Sequence, residues 1–132
     1  LYEDGIASKD DLKITSGNFI INAADDGIRG KDSVEIAGGN ITINAKGDAI
    51  KSTNDTDEEK GFVLISGGTF KINANNDGIQ AETNLVIKGG TFDITTSGTN
   101  SDDSTKGLKA ETYIELNGGT YTINANDDGI HS

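Results

Sequence analysis

The sequence has no cysteine, proline, methionine or tryptophan, and its 132 residues include only three tyrosines and four phenylalanines. The lack of cysteine excludes a disulfide framework but does not determine the cellular compartment. Hydrophobic residues make up 33% of a chain whose length corresponds to one domain, so a thick globular core is not expected. We therefore expect residues 1–132 to form a single domain with a thin core.

Basic residues and long apolar runs are also scarce. The 11 Lys and Arg residues are outnumbered by 22 Asp and Glu residues, which gives a formal charge of −11. This balance argues against nucleic acid as a partner, because phosphate binding requires a basic surface, and it favours cations. No apolar run is long enough for membrane insertion, and we find no secretory leader. Because the chain starts at Leu1 rather than at a methionine, we expect a processed or excised product.

The sequence is rich in glycine, with 18 residues, and it repeats one motif. The motif reads Asp-Gly-Ile, then an apolar-x-Ile pair, then Gly-Gly-Thr-Phe-x-Ile-Asn-Ala. It begins at six positions that are 22, 22, 29, 29 and 22 residues apart: Asp4, Asp26, Asp48, Asp77, Lys106 and Asp128. Each 29-residue interval is a 22-residue coil with seven inserted residues, and the polar segments 53–61 and 96–105 mark the insertions. We expect both insertions to be exposed loops, because neither is apolar enough to be buried.

Within each coil, apolar and polar residues alternate in three short bursts, which is the pattern of β-strands separated by turns. Repeats in register predict an all-β, right-handed parallel β-helix, or β-solenoid, of about five coils. Each coil would bury its apolar face by stacking on its neighbours at roughly 4.8 Å. Five inward-facing ladders follow from the alignment, and in the first coil they begin at Ile6, Leu12, Ile14, Phe19 and Ile21.

The same alignment stacks acidic residues on neighbouring coils, in one column at the Asp-Gly-Ile positions and a partial second column of Glu3, Asp25, Asn76 and Asp127. Like charges on adjacent strands destabilise a sheet, so a cation is expected. Ca–O bonds of roughly 2.3–2.6 Å let one ion lie between oxygens on coils about 4.8 Å apart. We expect the Lys106 ammonium to replace the ion between Asp77 and Asp128. The sequence therefore predicts Ca2+ as the cofactor, with the candidate ligands Asp4, Asp25, Asp26, Asp48, Asn76, Asp77, Asp127 and Asp128.

Other interpretations of the polar residues remain open. Asp and Asn before Gly are common turn formers, and exposed carboxylates stay solvated without a metal. The asparagine column, Asn22, Asn44, Asn73 and Asn124 with Thr95 in the fourth coil, predicts an internal amide ladder that supports the turn more than it predicts metal ligands. The acidic residues 54–59 lack the closing glutamate of an EF-hand and predict a solvated loop.

The segments GGTFKINANNDGIQA (67–81) and GGTYTINANDDGIHS (118–132) resemble a polysaccharide-lyase-like parallel β-helix family of bacterial calcium-binding, carbohydrate-binding domain-containing proteins. The resemblance covers nearly the whole chain. It implies a right-handed β-helix, secretion, and binding of cellulose or acidic plant polysaccharides without cleavage. Gly47 and Lys106 depart from the acidic pattern of the family. The calcium role implied by the resemblance falls on Asp25, Asp26, Asp48, Asp77, Asp127 and Asp128.

A carbohydrate-binding rod would use calcium to bridge uronate carboxylates and exposed rings to stack on sugars, with Tyr2, Phe62 and Tyr113 as candidates. A lyase would need a base beside the calcium, and one basic column lies near the acidic one: Arg29, Lys51, Lys109 and His131. Charge compensation explains that column more simply, so we do not expect an enzyme.

A structural protomer is the alternative function. The repeat starts in the middle of a coil and stops in the first strand of a sixth, without a cap at either end. Uncovered coils expose strand edges that pair with other copies. Copies stacked head to tail would form open-ended, calcium-stabilised extracellular filaments or adhesive fibres.

Overall fold

The structure is a computed structural model that describes residues 4–98 and 105–132. This part of the chain consists of strands, turns and loops and has no helix, which confirms the predicted all-β class. The strands, in chain order, are β1 (Ile6–Ser8), β2 (Asp11–Ile14), β3 (Asn18–Ala23), β4 (Ile28–Gly30), β5 (Ser33–Ile36), β6 (Asn40–Ala45), β7 (Ile50–Ser52), β8 (Phe62–Ile65), β9 (Thr69–Ala74), β10 (Ile79–Ala81), β11 (Asn84–Ile87), β12 (Thr91–Thr96), β13 (Leu108–Ala110), β14 (Tyr113–Leu116), β15 (Thr120–Asn124) and β16 (Ile130–His131).

The strands pair into three parallel sheets, because each coil contributes one strand to each sheet. The first sheet has the order β1-β4-β7-β10-β13-β16, the second β2-β5-β8-β11-β14, and the third β3-β6-β9-β12-β15. Equivalent residues of successive coils are partners: Ile6 pairs with Ile28, and Ile28 pairs with Ile50. This is the parallel β-helix that the repeat predicts. Its right-handed winding stays a prediction.

The core lies between the three sheets and is built from the five predicted ladders. Side chains in the middle coils are fully enclosed; Ile43, Val63 and Ile79 have no exposed surface. In the third sheet, aromatic rings stack along one ladder. The Phe70 and Phe92 ring centroids lie 4.7 Å apart with an angle of 2° between the planes, and Phe92 and Tyr121 lie 5.2 Å apart at 6°. The strands therefore bury much of their apolar area through contact with neighbouring coils.

Glycine is required at the corner between the second and third sheets. The second residue of each Gly-Gly pair has a positive φ, 113° at both Gly39 and Gly68, which other residues rarely adopt. A Cβ at Gly39 would also come within 2.8 Å of the carbonyl oxygen of Gly17 on the preceding coil. The corner therefore excludes a side chain for conformational and for steric reasons.

The first insertion is exposed in its middle but anchored by a buried residue near its start. Residues 55–60 are exposed, as predicted for an acidic loop. The expectation that none of it is buried is wrong for Asn54, which is 7% exposed. Its Nδ2 donates to Asp32 Oδ1 at 2.8 Å, and its Oδ1 accepts three bonds from Thr56 and Asp57 at 3.1 Å each. Asn54 can be buried because its side-chain amide forms these hydrogen bonds.

The second insertion is also buried at its ends, contrary to expectation. Thr96 is the last residue of β12 and pairs with Ala74, so it occupies an inward position and is only 2% exposed. Its hydroxyl donates to the carbonyl oxygen of Thr105, which is 5% exposed. The rest of the predicted loop, residues 99–104, lies outside the described residues.

Burial decreases in the last coil. Leu116 and Ile130 are 38% and 51% exposed, whereas their partners on the preceding coil, Ile87 and Leu108, have no exposed surface. A further coil would cover both side chains, whether it came from a second copy or from more of the same polypeptide. Within residues 4–98 and 105–132, no helix is long and apolar enough to cross a membrane.

Candidate functional site

The carboxylates of the first acidic column accept hydrogen bonds from the backbone of the next coil. The donors are backbone N atoms and the acceptors Oδ1 atoms: Asp26 to Asp4 at 3.1 Å, Asp48 to Asp26 at 3.0 Å, Asp77 to Asp48 at 2.8 Å and Lys106 to Asp77 at 2.9 Å. A backbone N–H in a buried turn needs a partner, and such a bond favours the ionised carboxylate. The column is therefore a ladder that satisfies the turn backbone and offsets part of the like-charge repulsion.

The basic column of the first sheet offsets more of the like-charge repulsion between the stacked aspartates. Both Nε and Nη2 of Arg29 contact Asp4 Oδ2, at 2.8 and 2.7 Å. Lys51 Nζ lies 3.2 Å from Asp48 Oδ2. Lys109 differs, since its nearest acidic partner is Glu111, at 3.7 Å. These contacts confirm the interpretation of the column as charge compensation.

Burial still disfavours the charged form of two members of the acidic column. Asp48 is 5% exposed, and loss of water raises its pKa to about 6 despite the Lys51 ammonium beside it. Desolvation also raises the pKa of Asp26, which is 6% exposed. The middle of the column therefore holds negative charge that the protein neutralises only in part.

A possible metal centre lies at the start of the column. Among the described residues, Asp4, Asp25 and Asp26 form the one group of three whose ligand atoms all lie within 4.8 Å of one another. The next coil has glycine beside them; a Cβ at Gly47 would lie 2.5 Å from Asp25 Oδ1 and 2.6 Å from Asp26 Oδ1. An all-oxygen set with turn carbonyls nearby suits calcium. The donor chemistry fits the ion, although Arg29 already contacts one oxygen of Asp4.

The other predicted ligands are not part of this group. Asp127 Oδ2 accepts a 2.5 Å bond from Lys106 Nζ, which holds the pKa of Asp127 below its ordinary value. The Lys106 ammonium thus binds Asp127 in the second column. The bond to Asp127, together with the charges of Asp127, Asp77 and Asp128, raises the pKa of Lys106, so the ammonium also acts on the two carboxylates between which it was expected. Asp128 Oδ2 contacts His131 Nδ1 at 3.0 Å.

The second acidic column was also predicted to include Asn76 and Glu3. Asn76 is half-buried, and its backbone N donates to the carbonyl oxygen of Gly47 at 3.1 Å. Glu3 lies outside the described residues, so its predicted place in the column stays a prediction.

The asparagine column faces outward, which corrects the prediction of an internal ladder. Asn44 Nδ2 donates to Asn22 Oδ1, and Asn73 Nδ2 donates to Asn44 Oδ1, both at 3.1 Å, so an amide ladder does form. The three residues are exposed because they alternate with the inward positions of β3, β6 and β9. They line a groove of about 530 Å³ together with Ala23, Ala24 and Ala45. We call this the amide groove.

The outer face of the second sheet carries an apolar patch. Phe62 is half-buried and Tyr113 is 44% exposed, and the register places Asn84 between them in one outward column. Leu64 and Val86 pair in the next outward column and are partly exposed. The buried Oδ1 of Asn84 has no hydrogen-bond partner among the described residues. We call these five residues the aromatic face.

The sequence predicted part of this face. Phe62 and Tyr113 were expected at the surface, which is confirmed, and Tyr2 lies outside the described residues. Leu64 and Val86 were missed, although a signal was present. Strands FVLI and NLVI have apolar residues at positions where the other strands of the sheet alternate to polar ones.

The comparisons with known proteins give a family for the whole chain. Residues 1–132 match the family described as carbohydrate-binding domain-containing protein. The chain belongs to this family. No curated protein and no solved structure matches it. In this carbohydrate-binding domain-containing protein, the aromatic face presents mainly apolar side chains, and the amide groove presents amides beside alanines.

Proposed function

We propose that this carbohydrate-binding domain-containing protein is a non-catalytic extracellular module that binds polysaccharide, either cellulose or an acidic plant glycan, at the bacterial surface. We further propose that calcium stabilises it. The family match over residues 1–132 supports the carbohydrate-binding part of the proposal. The observation that carries the function is the aromatic face.

The aromatic face has the composition of a ligand site, with exposed rings and one convergent polar group. Phe62 and Tyr113 stand two coils apart, about 9.6 Å from strand spacing, with Asn84 between them. Sugar C–H faces would pack on the rings, and the half-buried Asn84 lies between the rings on the same outward column.

Replacing Tyr113 by alanine is expected to weaken glycan binding about tenfold, equivalent to about 1.4 kcal/mol, because the most exposed ring of the face is lost. Titration calorimetry with soluble cello-oligosaccharides and oligogalacturonates, together with pull-down on insoluble cellulose, measures this. Tyr113→Phe is the matched control: it keeps the ring and should keep the affinity. Unchanged affinity in Tyr113→Ala would contradict the assignment.

Calcium is proposed at Asp4, Asp25 and Asp26, whose ligand atoms already lie within 4.8 Å of one another. The ion would supply positive charge where two ladder carboxylates and an exposed aspartate meet. In this position it would stabilise the folded chain, because Asp4 comes from one coil and Asp25 and Asp26 from the next, and they meet only when the coils are stacked.

Removal of calcium is expected to lower the free energy of unfolding by roughly 2.7 kcal/mol when the free ion had exceeded its Kd a hundredfold. Thermal unfolding with calcium and with excess chelator measures the change, and magnesium should replace calcium poorly. In Asp25→Asn the calcium effect should shrink, whereas in the control Asp93→Asn, exposed on the third sheet, it should persist. A melting temperature that does not respond to chelator would refute the calcium site.

End-to-end stacking into filaments stays a prediction. Exposed Leu116 and Ile130 would lie in such an interface, but the same side chains would be covered by more of the same polypeptide.

A further inference from the structure

We propose that the amide groove is a second glycan site, specific for a linear neutral polysaccharide that lies along the helix axis. The inference rests on the proposed function, since it assumes that the module binds glycans. It goes further by placing a site on a different sheet from the aromatic face and by naming its substrate class.

The amides supply a periodic set of hydrogen-bonding groups. In the ladder, Asn44 uses one N–H toward Asn22 and one oxygen lone pair toward Asn73. An amide has two donors and two acceptor lone pairs, so one of each remains on the exposed side chain. The amides of Asn22, Asn44 and Asn73 repeat on three successive coils at roughly 4.8 Å, and Thr95 takes the equivalent position on the fourth coil. A polysaccharide matches it, because each sugar unit presents hydroxyls that both donate and accept.

The rest of the groove is apolar and of suitable size. Ala23, Ala24 and Ala45 line it beside the amides. Its volume of about 530 Å³ is within the range of roughly 300–1,000 Å³ that is usual for ligand sites. Small side chains leave room for the C–H face of a sugar ring, while the amides contact its hydroxyls.

The charges favour a neutral chain over an acidic one or a second copy of the protein. Lys46 is the one charged residue among those that line the groove. Asp25 follows directly after Ala24, and the whole chain carries a charge of −11. The Lys46 ammonium attracts anions locally, but the net charge of −11 repels a polyuronate or another acidic copy and does not act on a neutral glycan.

The test measures binding in a Tyr113→Ala background, in which the aromatic face is weakened. Calorimetry with cello-oligosaccharides is expected to detect residual binding, which Asn44→Leu should weaken a further tenfold or more. Asn40→Leu is the matched control: it makes the same change in an exposed amide on the same strand, outside the groove. Ala24→Glu should also abolish the residual binding. This variant keeps the ladder amides, so it tests the groove even if Asn44→Leu misfolds.

The outcomes separate the two proposals. If the unmodified chain binds no glycan, the proposed function fails and the groove fails with it. If it binds glycan, and the residual binding is insensitive to Asn44→Leu and Ala24→Glu, only the groove proposal is overturned. Stronger groove binding of oligogalacturonate than of cello-oligosaccharide would overturn the neutral specificity, and self-association abolished by Ala24→Glu would identify the occupant as a second copy.

Discussion

Replacement of Phe92 by alanine is expected to lower the free energy of unfolding by about 3–5 kcal/mol. The side chain is 1% exposed and stacks on Phe70 on one side and Tyr121 on the other. Its loss removes buried apolar area from three coils at once. Each stacked pair contributes roughly 0.5–1.5 kcal/mol beyond the area that it buries.

Urea and thermal unfolding followed by circular dichroism measure the effect. Thr91→Ala, on the outer face of the same strand, is the control and should change stability by less than about 0.5 kcal/mol. Because a solenoid is held together by contacts between neighbouring coils, we also expect a broader transition in Phe92→Ala, as the last coil separates first. A loss no larger than that of Thr91→Ala would show that the stack does not stabilise the fold.

The sequence was sufficient to predict the strand register. A period-two pattern places a residue inside or outside, and a one-residue slip would turn Ile43 and its neighbours outward. The repeat interval then fixes which residues are partners, even across the 29-residue coils, as the pairing of Ile43 with Ile72 shows. Both constraints are properties of the sequence alone.

Side-chain hydrogen bonds were predicted less well, because they depend on where a turn points its atoms. The repeat gave the stacking of Asp26 on Asp4 but not the bond from the Asp26 backbone N to the Asp4 carboxylate. Such a bond was available in principle, since a turn N–H needs a partner. Asn54 is a similar case: its position in a polar loop predicted exposure, and four satisfied hydrogen bonds allow burial instead.

The candidate metal site also depends on residues that differ between coils at equivalent positions of the repeat. All members of the first acidic column occupy equivalent positions in their coils, yet the described carboxylates come together as a group of three only where Asp25 is acidic and Gly47 has no side chain. At the next coils Gly47 and Asn76 replace Asp25. Whether a coil brings three carboxylates together therefore depends on the second column and not on the first.

Stability in the presence of chelator is expected to fall as the pH rises from 5 to 7.5, mainly because of Asp48. Burial raises its pKa to about 6 from 3.8, so between these values the folded chain binds a proton that the unfolded chain has lost. The stability that this group contributes is complete below about pH 4 and is lost as the pH rises through 6. The shift corresponds to about 3 kcal/mol. Asp26, whose pKa is also raised by desolvation, acts in the same direction.

Asp48→Asn isolates this effect, because asparagine keeps an oxygen that accepts the Asp77 backbone N–H but never ionises. The variant should be more stable than the unmodified chain by up to about 3 kcal/mol at pH 7.5 and by about half as much at pH 5, where the folded carboxyl is protonated and the unfolded one is not. Comparing the two proteins at each pH cancels the pH dependence that they share. Asp93→Asn, exposed on the third sheet, should show no such pH-dependent difference. If Asp48→Asn is destabilised at both pH values, the ionised carboxylate is itself required, and the ladder depends on its negative charge rather than tolerating it.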